Sequence, residues 1–329
     1  MRKNIFFMLI MVVGILGCPP KPFTTINQKH FNIIVVPDLS NRITNKNYIL
    51  SDKQLASYFS KLLYPNIIEN DANINQKDKL RFDFINLTHA ELYKLSSARM
   101  DLSIFGDDQM ARNKYLGIFS STSQFRKDTT TFISQFDIYS TVITEENDYG
   151  SDIYNYFTNI SFLDIDTTTT KIDDPLHKVQ ISSQFENIIV LFTDGYIEVK
   201  SSGNANNKMS NALSESKIND FRTDYLSANK INKITLEDYF KISGYGIDPI
   251  INPALSKSRI LVLQLFDRGL TFGANRNPGP TDVEIMKLFW TDWLKKSGVS
   301  DSNIGIYSCD DTFDKTSTQN IFKTFLNVK

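Results

Sequence analysis

Three apolar runs that do not alternate constrain this chain most. Residues 31–36 read Phe-Asn-Ile-Ile-Val-Val and end at Pro37-Asp38. Residues 187–193 read Asn-Ile-Ile-Val-Leu-Phe-Thr and end at Asp194-Gly195, and residues 259–266 form a third run. A strand shows successive side chains to opposite faces, so consecutive apolar positions mean that both faces are covered. Helical spacing fills the gaps. Residues 51–63 place Leu55, Tyr58, Phe59 and Leu62 near a 3.6 period, with Ser51 as the expected N-cap. Residues 125–136, 153–157, 209–226, 282–296 and 316–326 also read as helices, and residues 80–86, 139–144 and 304–308 as shorter strands. Buried strands alternating with helices predict an α/β fold, a mostly parallel central sheet with helices on both faces. Two long polar stretches, near 87–124 and 196–258, read as insertions.

The first residues belong to a different logic. Arg2 and Lys3 precede a run from residue 5 to 16 that is apolar apart from Gly14, followed by Gly17 and Cys18. A charged start, a short apolar stretch and a small residue before a cut describe a signal peptide; an uncleaved membrane anchor is the alternative. Ile15-Leu16-Gly17-Cys18 resembles the lipobox of bacterial lipoproteins. That resemblance implies cleavage after Gly17, diacylglycerol on the Cys18 thiol and acylation, palmitate for example, of the new amino group. Residues 1–17 are then the signal peptide and 18–30 a lipidated tether, stiffened by Pro19, Pro20 and Pro22. Each buried lipid CH₂ contributes about 0.8 kcal/mol, so two or three chains hold a soluble domain at a membrane. No acidic cluster follows Cys18. The expected location is the cell envelope, at the periplasmic face of the outer membrane.

Composition removes several function classes. The 329 residues are 41% hydrophobic and 22% charged, which argues against wholesale disorder and against a multi-pass membrane protein. A net charge of −1 gives no footprint for nucleic acid. Two cysteines and three scattered histidines exclude a disulfide framework and leave no Cys/His zinc pattern. With Cys18 lipidated, Cys309 has no intramolecular partner and is expected in the core; His30, His89 and His177 read as surface residues. No GxxxxGK[ST] or GxGxxG string occurs.

Ligands of an open parallel sheet gather at the carboxyl ends of its strands. Asp38 follows the first run, with Ser40 two residues on, and Asp194 follows the second. Between them Gly150-Ser151-Asp152 opens a helix. Carboxylates and hydroxyls brought to one crest are the hard oxygen donors that Mg²⁺ or Mn²⁺ prefers. Here the chain resembles the von Willebrand factor type A family, whose pattern is Asp-x-Ser-x-Ser, a Thr in a Gly-Thr turn, and an Asp in a Thr-Asp-Gly turn. Asp38 and Ser40, Gly150-Ser151, and Thr193-Asp194-Gly195 stand in that order. The resemblance implies a Rossmann-like domain over residues 31–329 with a metal-ion-dependent adhesion site. Asp38, Ser40, Ser151 and Asp194 would be its ligands, and a protein partner would complete it. One position departs: Arg42 stands where the family's second Ser ligand should be. Two unit charges about 4 Å apart interact by roughly 4 kcal/mol at an effective dielectric of about 20, and a divalent ion doubles the repulsion. Arg42 therefore swings away, replaces the cation against Asp38 or Asp194, or meets a ligand carboxylate.

The expected function is that of a membrane-anchored binding module, not an enzyme acting on a small molecule. A structural envelope component without metal is the first alternative. A metal-assisted hydrolase is the second, weakened because no histidine falls beside Ser40 or Ser151. Three further features carry bland readings. Asp101-Leu102-Ser103 is taken as a surface imitation of the first motif, the acidic residues at 310–314 as a solvated loop, and Trp290 and Trp293 as core.

Overall fold

In chain order the elements are β1 (Thr24–Pro37), α1 (Lys46–Lys61), β2 (Lys79–Phe82), β3 (Arg99–Asp101), α2 (Gln109–Leu116), α3 (Gln124–Glu146), α4 (Ile153–Asn159), β4 (Thr169–Asp174), β5 (Val179–Phe192), β6 (Met209–Ser210), α5 (Glu215–Asn232), α6 (Leu236–Ser243), β7 (Gly246–Ile247), β8 (Ser258–Leu265), α7 (Asp282–Lys296), β9 (Ile304–Ser308) and α8 (Lys315–Leu326). The computed structural model describes residues 24–38, 40, 46–61, 76–83, 85, 99–117, 123–146, 152–160, 169–174, 179–198, 207–268, 279–312 and 314–327. The signal peptide, Cys18, Arg42, Gly150, Ser151, His89 and His177 lie outside them. Among the described residues no helix is long and apolar enough to cross a membrane.

The main sheet runs β3-β2-β1-β5-β8-β9. All neighbours are parallel except β3, which is antiparallel to β2 at one edge. From β1 the order runs outward one way and from β5 the other, the doubly wound arrangement of a Rossmann-like fold. β4 was not expected; it pairs antiparallel with the first half of β5. β1 and β5 pair over 14 residues, from Thr24 opposite Val179 to Pro37 opposite Phe192. β1 therefore begins inside the stretch assigned to the tether, at Thr24.

The unbroken runs have their cause in two cores. Ile33, Val35, Ile188, Val190, Phe192, Leu261 and Leu263 face one side, against Leu55 and Phe59 of α1, Phe132 and Phe136 of α3 and Phe322 of α8. Ile34, Val36, Ile189, Leu191, Ile260 and Val262 face the other, against Phe157 of α4, Phe221 of α5 and Trp290 and Trp293 of α7. Burying a side chain of this size contributes about 2 kcal/mol, so both faces are strongly driven. The polar interruption of the first two runs is also explained. Asn32 and Asn187 are register partners, and Asn32 Nδ2 donates to Asn187 Oδ1 at 2.8 Å inside the sheet.

Several expectations need correction. Residues 139–144 continue α3 rather than forming a strand, because β-branched content is a weak prior against an established helix. Ser51 lies within α1, and its hydroxyl donates to Gln264 Oε1 at 3.0 Å. His30 is buried against Phe185 and not on the surface. The stretch near 87–124 supplies the edge strand β3 and the helix α2. The stretch near 196–258 supplies α5 and α6, whose Ile218, Phe221 and Phe240 enter the second core. It is pinned by Lys217, fully buried, whose Nζ donates to Ser210 Oγ at 3.0 Å, Ala212 O at 3.1 Å and Gly246 O at 2.6 Å. Burial lowers its pKa to about 8, against a smaller raising effect of Asp248.

Candidate functional site

The strand order reverses between β1 and β5, and Asp38 and Asp194 follow the carboxyl ends of those two strands. Such a switch point opens a crevice above the sheet. Asp38 is bound into it on every side. Its N–H donates to Phe192 O at 2.7 Å, extending the parallel pairing one step past Pro37. Its Oδ1 accepts the Ser40 N–H at 2.9 Å, an Asx turn, and its Oδ2 accepts the Thr193 hydroxyl at 2.7 Å. Thr193 Oγ1 in turn accepts the Gly195 N–H at 3.1 Å. The ends of β1 and β5 are thus locked by one carboxylate and one hydroxyl, both buried.

The turn after β5 needs its glycine. Gly195 has φ of 97°, and a Cβ there would lie 2.5 Å from Met286 Sδ and 3.1 Å from Leu265 Cγ. Its carbonyl accepts the Trp290 indole N–H at 2.8 Å, which ties the crest to α7.

Asp194 carries the main charge of the crest. Its Oδ1 accepts the Tyr196 N–H at 3.3 Å, and its Oδ2 takes Arg268 Nε at 2.9 Å, with Nη2 also at 2.9 Å. Arg268 Nη1 donates to Glu198 Oε1 at 2.5 Å. The guanidinium lies over the Tyr196 ring, 4.2 Å from its centroid. Burial opposes the Arg268 charge, but Asp194 and Glu198 outweigh it and raise the pKa. The Tyr196 hydroxyl donates to Asp282 Oδ2 at 2.5 Å, and Asp282 Oδ1 pairs with Arg222. Burial, then the Asp282 bond, pushes the Tyr196 phenol up.

Of the residues singled out in the sequence, Asp38, Ser40 and Asp194 are brought to one crest; Ser151 and Arg42 fall outside the described residues. Ser40 is buried, and its Oγ has no hydrogen-bond partner among the described residues. Among the described residues of the crest, that hydroxyl is the one feature a metal would account for. Asp194 is otherwise: a dication about 4 Å from the Arg268 guanidinium would be repelled by roughly 8 kcal/mol at an effective dielectric of about 20. Among the described residues no group of three or more His, Cys, Asp or Glu side chains could hold a metal ion. The described crest does not fit a divalent ion held by both carboxylates. Sequence reasoning missed Arg268, Glu198 and the role of Thr193. The signal for Arg268 was present, because Asp267-Arg268 follows the third apolar run as Asp38 and Asp194 follow the first two.

The other motifs resolve simply. Asp311 accepts from Ser308 N at 2.8 Å and lies 3.2 Å from Lys287 Nζ, so the acidic loop is tied to β9 and α7. Trp290 and Trp293 are fully buried core. Cys309 is half-buried, and burial raises its thiol pKa.

No family model matches the chain, and no curated protein matches it. Among solved structures it is similar to proximal thread matrix protein 1 from the mussel byssus, at 9% identity and a TM-score of 0.30. That match covers 92% of this chain and 49% of the other, so the chain spans about half the length of that structure.

Proposed function

We propose that the chain is a membrane-tethered binding module that presents the crest above β1, β5 and β8 to a protein partner. A lipid on Cys18 is its anchor at the cell envelope. The observation that carries this reading is the convergence of Asp38 and Asp194 at the switch point, with Arg268 and the partly exposed Glu198 at their rim. A buried polar cluster there exceeds what strand pairing requires, since capping two strand ends needs no ion pair. The resemblance to the von Willebrand factor type A family adds to it, because that family contacts partners at the same place.

A purely structural envelope role is the second reading. What favours it is that both oxygens of Asp38 accept from donors of this chain, as a fold-holding residue would. Charge reversal separates the two. Capture of envelope partners by the native protein is expected to fall at least tenfold in Glu198→Arg and to persist in Asp301→Lys. Asp301 precedes β9, at the other end of the sheet. Equal capture by both variants would reject the crest as the contact surface. Anchoring is checked separately: labelled palmitate should enter the wild type and not Cys18→Ser.

A further inference from the structure

The crest carries a positive charge of its own against the second of its two buried carboxylates. We propose that Arg268 is the resident cation of this crest, and that the crest works without a divalent metal. The part concerning partner contact rests on the reading above; the part concerning metal is tested on the chain alone.

Arg268 is built into its position. Nε and Nη2 hold Asp194, Nη1 holds Glu198, and the Arg268 N–H donates to the Tyr196 hydroxyl at 3.3 Å. The flat guanidinium covers the face of Tyr196, and that ring is fixed from its far end by Asp282 and Arg222. Five planar donors suit two carboxylates and a ring better than a flexible ammonium would. A dication entering at Asp194 would have to expel this side chain, strip Glu198 of its partner and uncover the tyrosine. Arginine is not deprotonated in proteins, so no change of pH across the ordinary range vacates the place. Arg268 is therefore a positioning residue. It holds Asp194 and Glu198 in fixed directions, which is the structural service a metal would otherwise supply.

The experiment is a titration of the full chain with Mn²⁺, read by melting temperature and by the six-line resonance of the free ion. The wild type is expected to show no shift and no loss of free-ion signal. Arg268→Gln is expected to gain a rise of several degrees with Mn²⁺, removed again by adding Asp38→Asn. A wild-type shift that chelator reverses and Asp194→Asn abolishes would overturn the proposal. So would a folded Arg268→Gln that takes up no Mn²⁺, because the arginine would then not be what excludes the ion. Should Arg268→Gln fail to fold, the wild-type resonance decides: an undiminished signal supports the proposal and a diminished one rejects it. Neither readout involves a partner, so failed partner capture would count against the contact surface and leave this result standing.

Discussion

The tripeptide Asp-Leu-Ser occurs twice, at residues 38–40 and at 101–103, and the two copies share one hydrogen bond. In each, the Ser N–H donates to the Asp Oδ1 at 2.9 Å. They part at the hydroxyl. Ser103 Oγ donates back to Asp101 Oδ1 at 2.5 Å, closing the turn on itself beside Arg99. Ser40 Oγ has no partner among the described residues, while Asp38 reaches across to Thr193 on β5. One copy caps a short 3₁₀ turn after the edge strand β3, and the other joins the two central strands at the switch point. Identical local chemistry thus serves as a cap at the rim and as a keystone at the centre. Topology decides which.

The contrast can be broken by mutation. Asp38→Ala strands a buried Thr193 hydroxyl and the Ser40 N–H, and is expected to cost about 3 kcal/mol; Asp101→Ala, at the edge, about 1.5 kcal/mol. Urea melts of the pair check this, and equal losses would erase the distinction between keystone and cap. Lys217 supplies an internal control. Its folded pKa of about 8 lies below the ordinary lysine value, so above pH 8 the unfolded chain binds more protons and stability rises with pH. A gain of about 2 kcal/mol between pH 8 and 10 is expected, absent in Lys217→Met. The buried tyrosines, with raised values, act in the opposite sense from about pH 9 upward, as the unfolded phenols ionise, so the lysine gain is read as the difference between wild type and Lys217→Met. The gain should survive in Asp38→Ala; its loss there would mean that more than the turn has been damaged. The smallest effect is the sharpest. Ser103→Ala should cost about 1 kcal/mol and Ser40→Ala less than about 0.5, because among the described residues only the first loses a bond. If Ser40→Ala nonetheless weakens partner capture, its hydroxyl serves contact rather than folding.

The central sheet was legible because its strands are buried on both faces, and few other structures ask for Ile-Ile-Val-Val followed by a turn. α7 and β9 were read to the residue, since Thr281 with Glu284 forms a capping box and Ser308 meets the Asp311 turn. Edges and extensions were not. β3 is three residues long, and β4 gains its place only by pairing with β5, so neither has a periodicity of its own. At the crest, Asp38 and Asp194 were found from strand ends alone; Arg268 also follows a strand end, but its pairing with Asp194 required knowing that β8 lies beside β5. Its partner Asp194 is 74 residues away, a separation local pattern does not register. His30 was misread for the converse reason: the residues before it, Asn27-Gln28-Lys29, are polar, but in space it meets Phe185.

The long pairing of β1 with β5 has a mechanical consequence. At about 3.3 Å per residue, 14 paired residues make a strut of roughly 45 Å. Its foot is Thr24, six residues from Cys18, and its head is Asp38. Two parallel backbones bonded along their whole length resist bending far better than a single strand. If Cys18 carries the anchor proposed above, the chain enters the sheet from the attachment at the end opposite the crest.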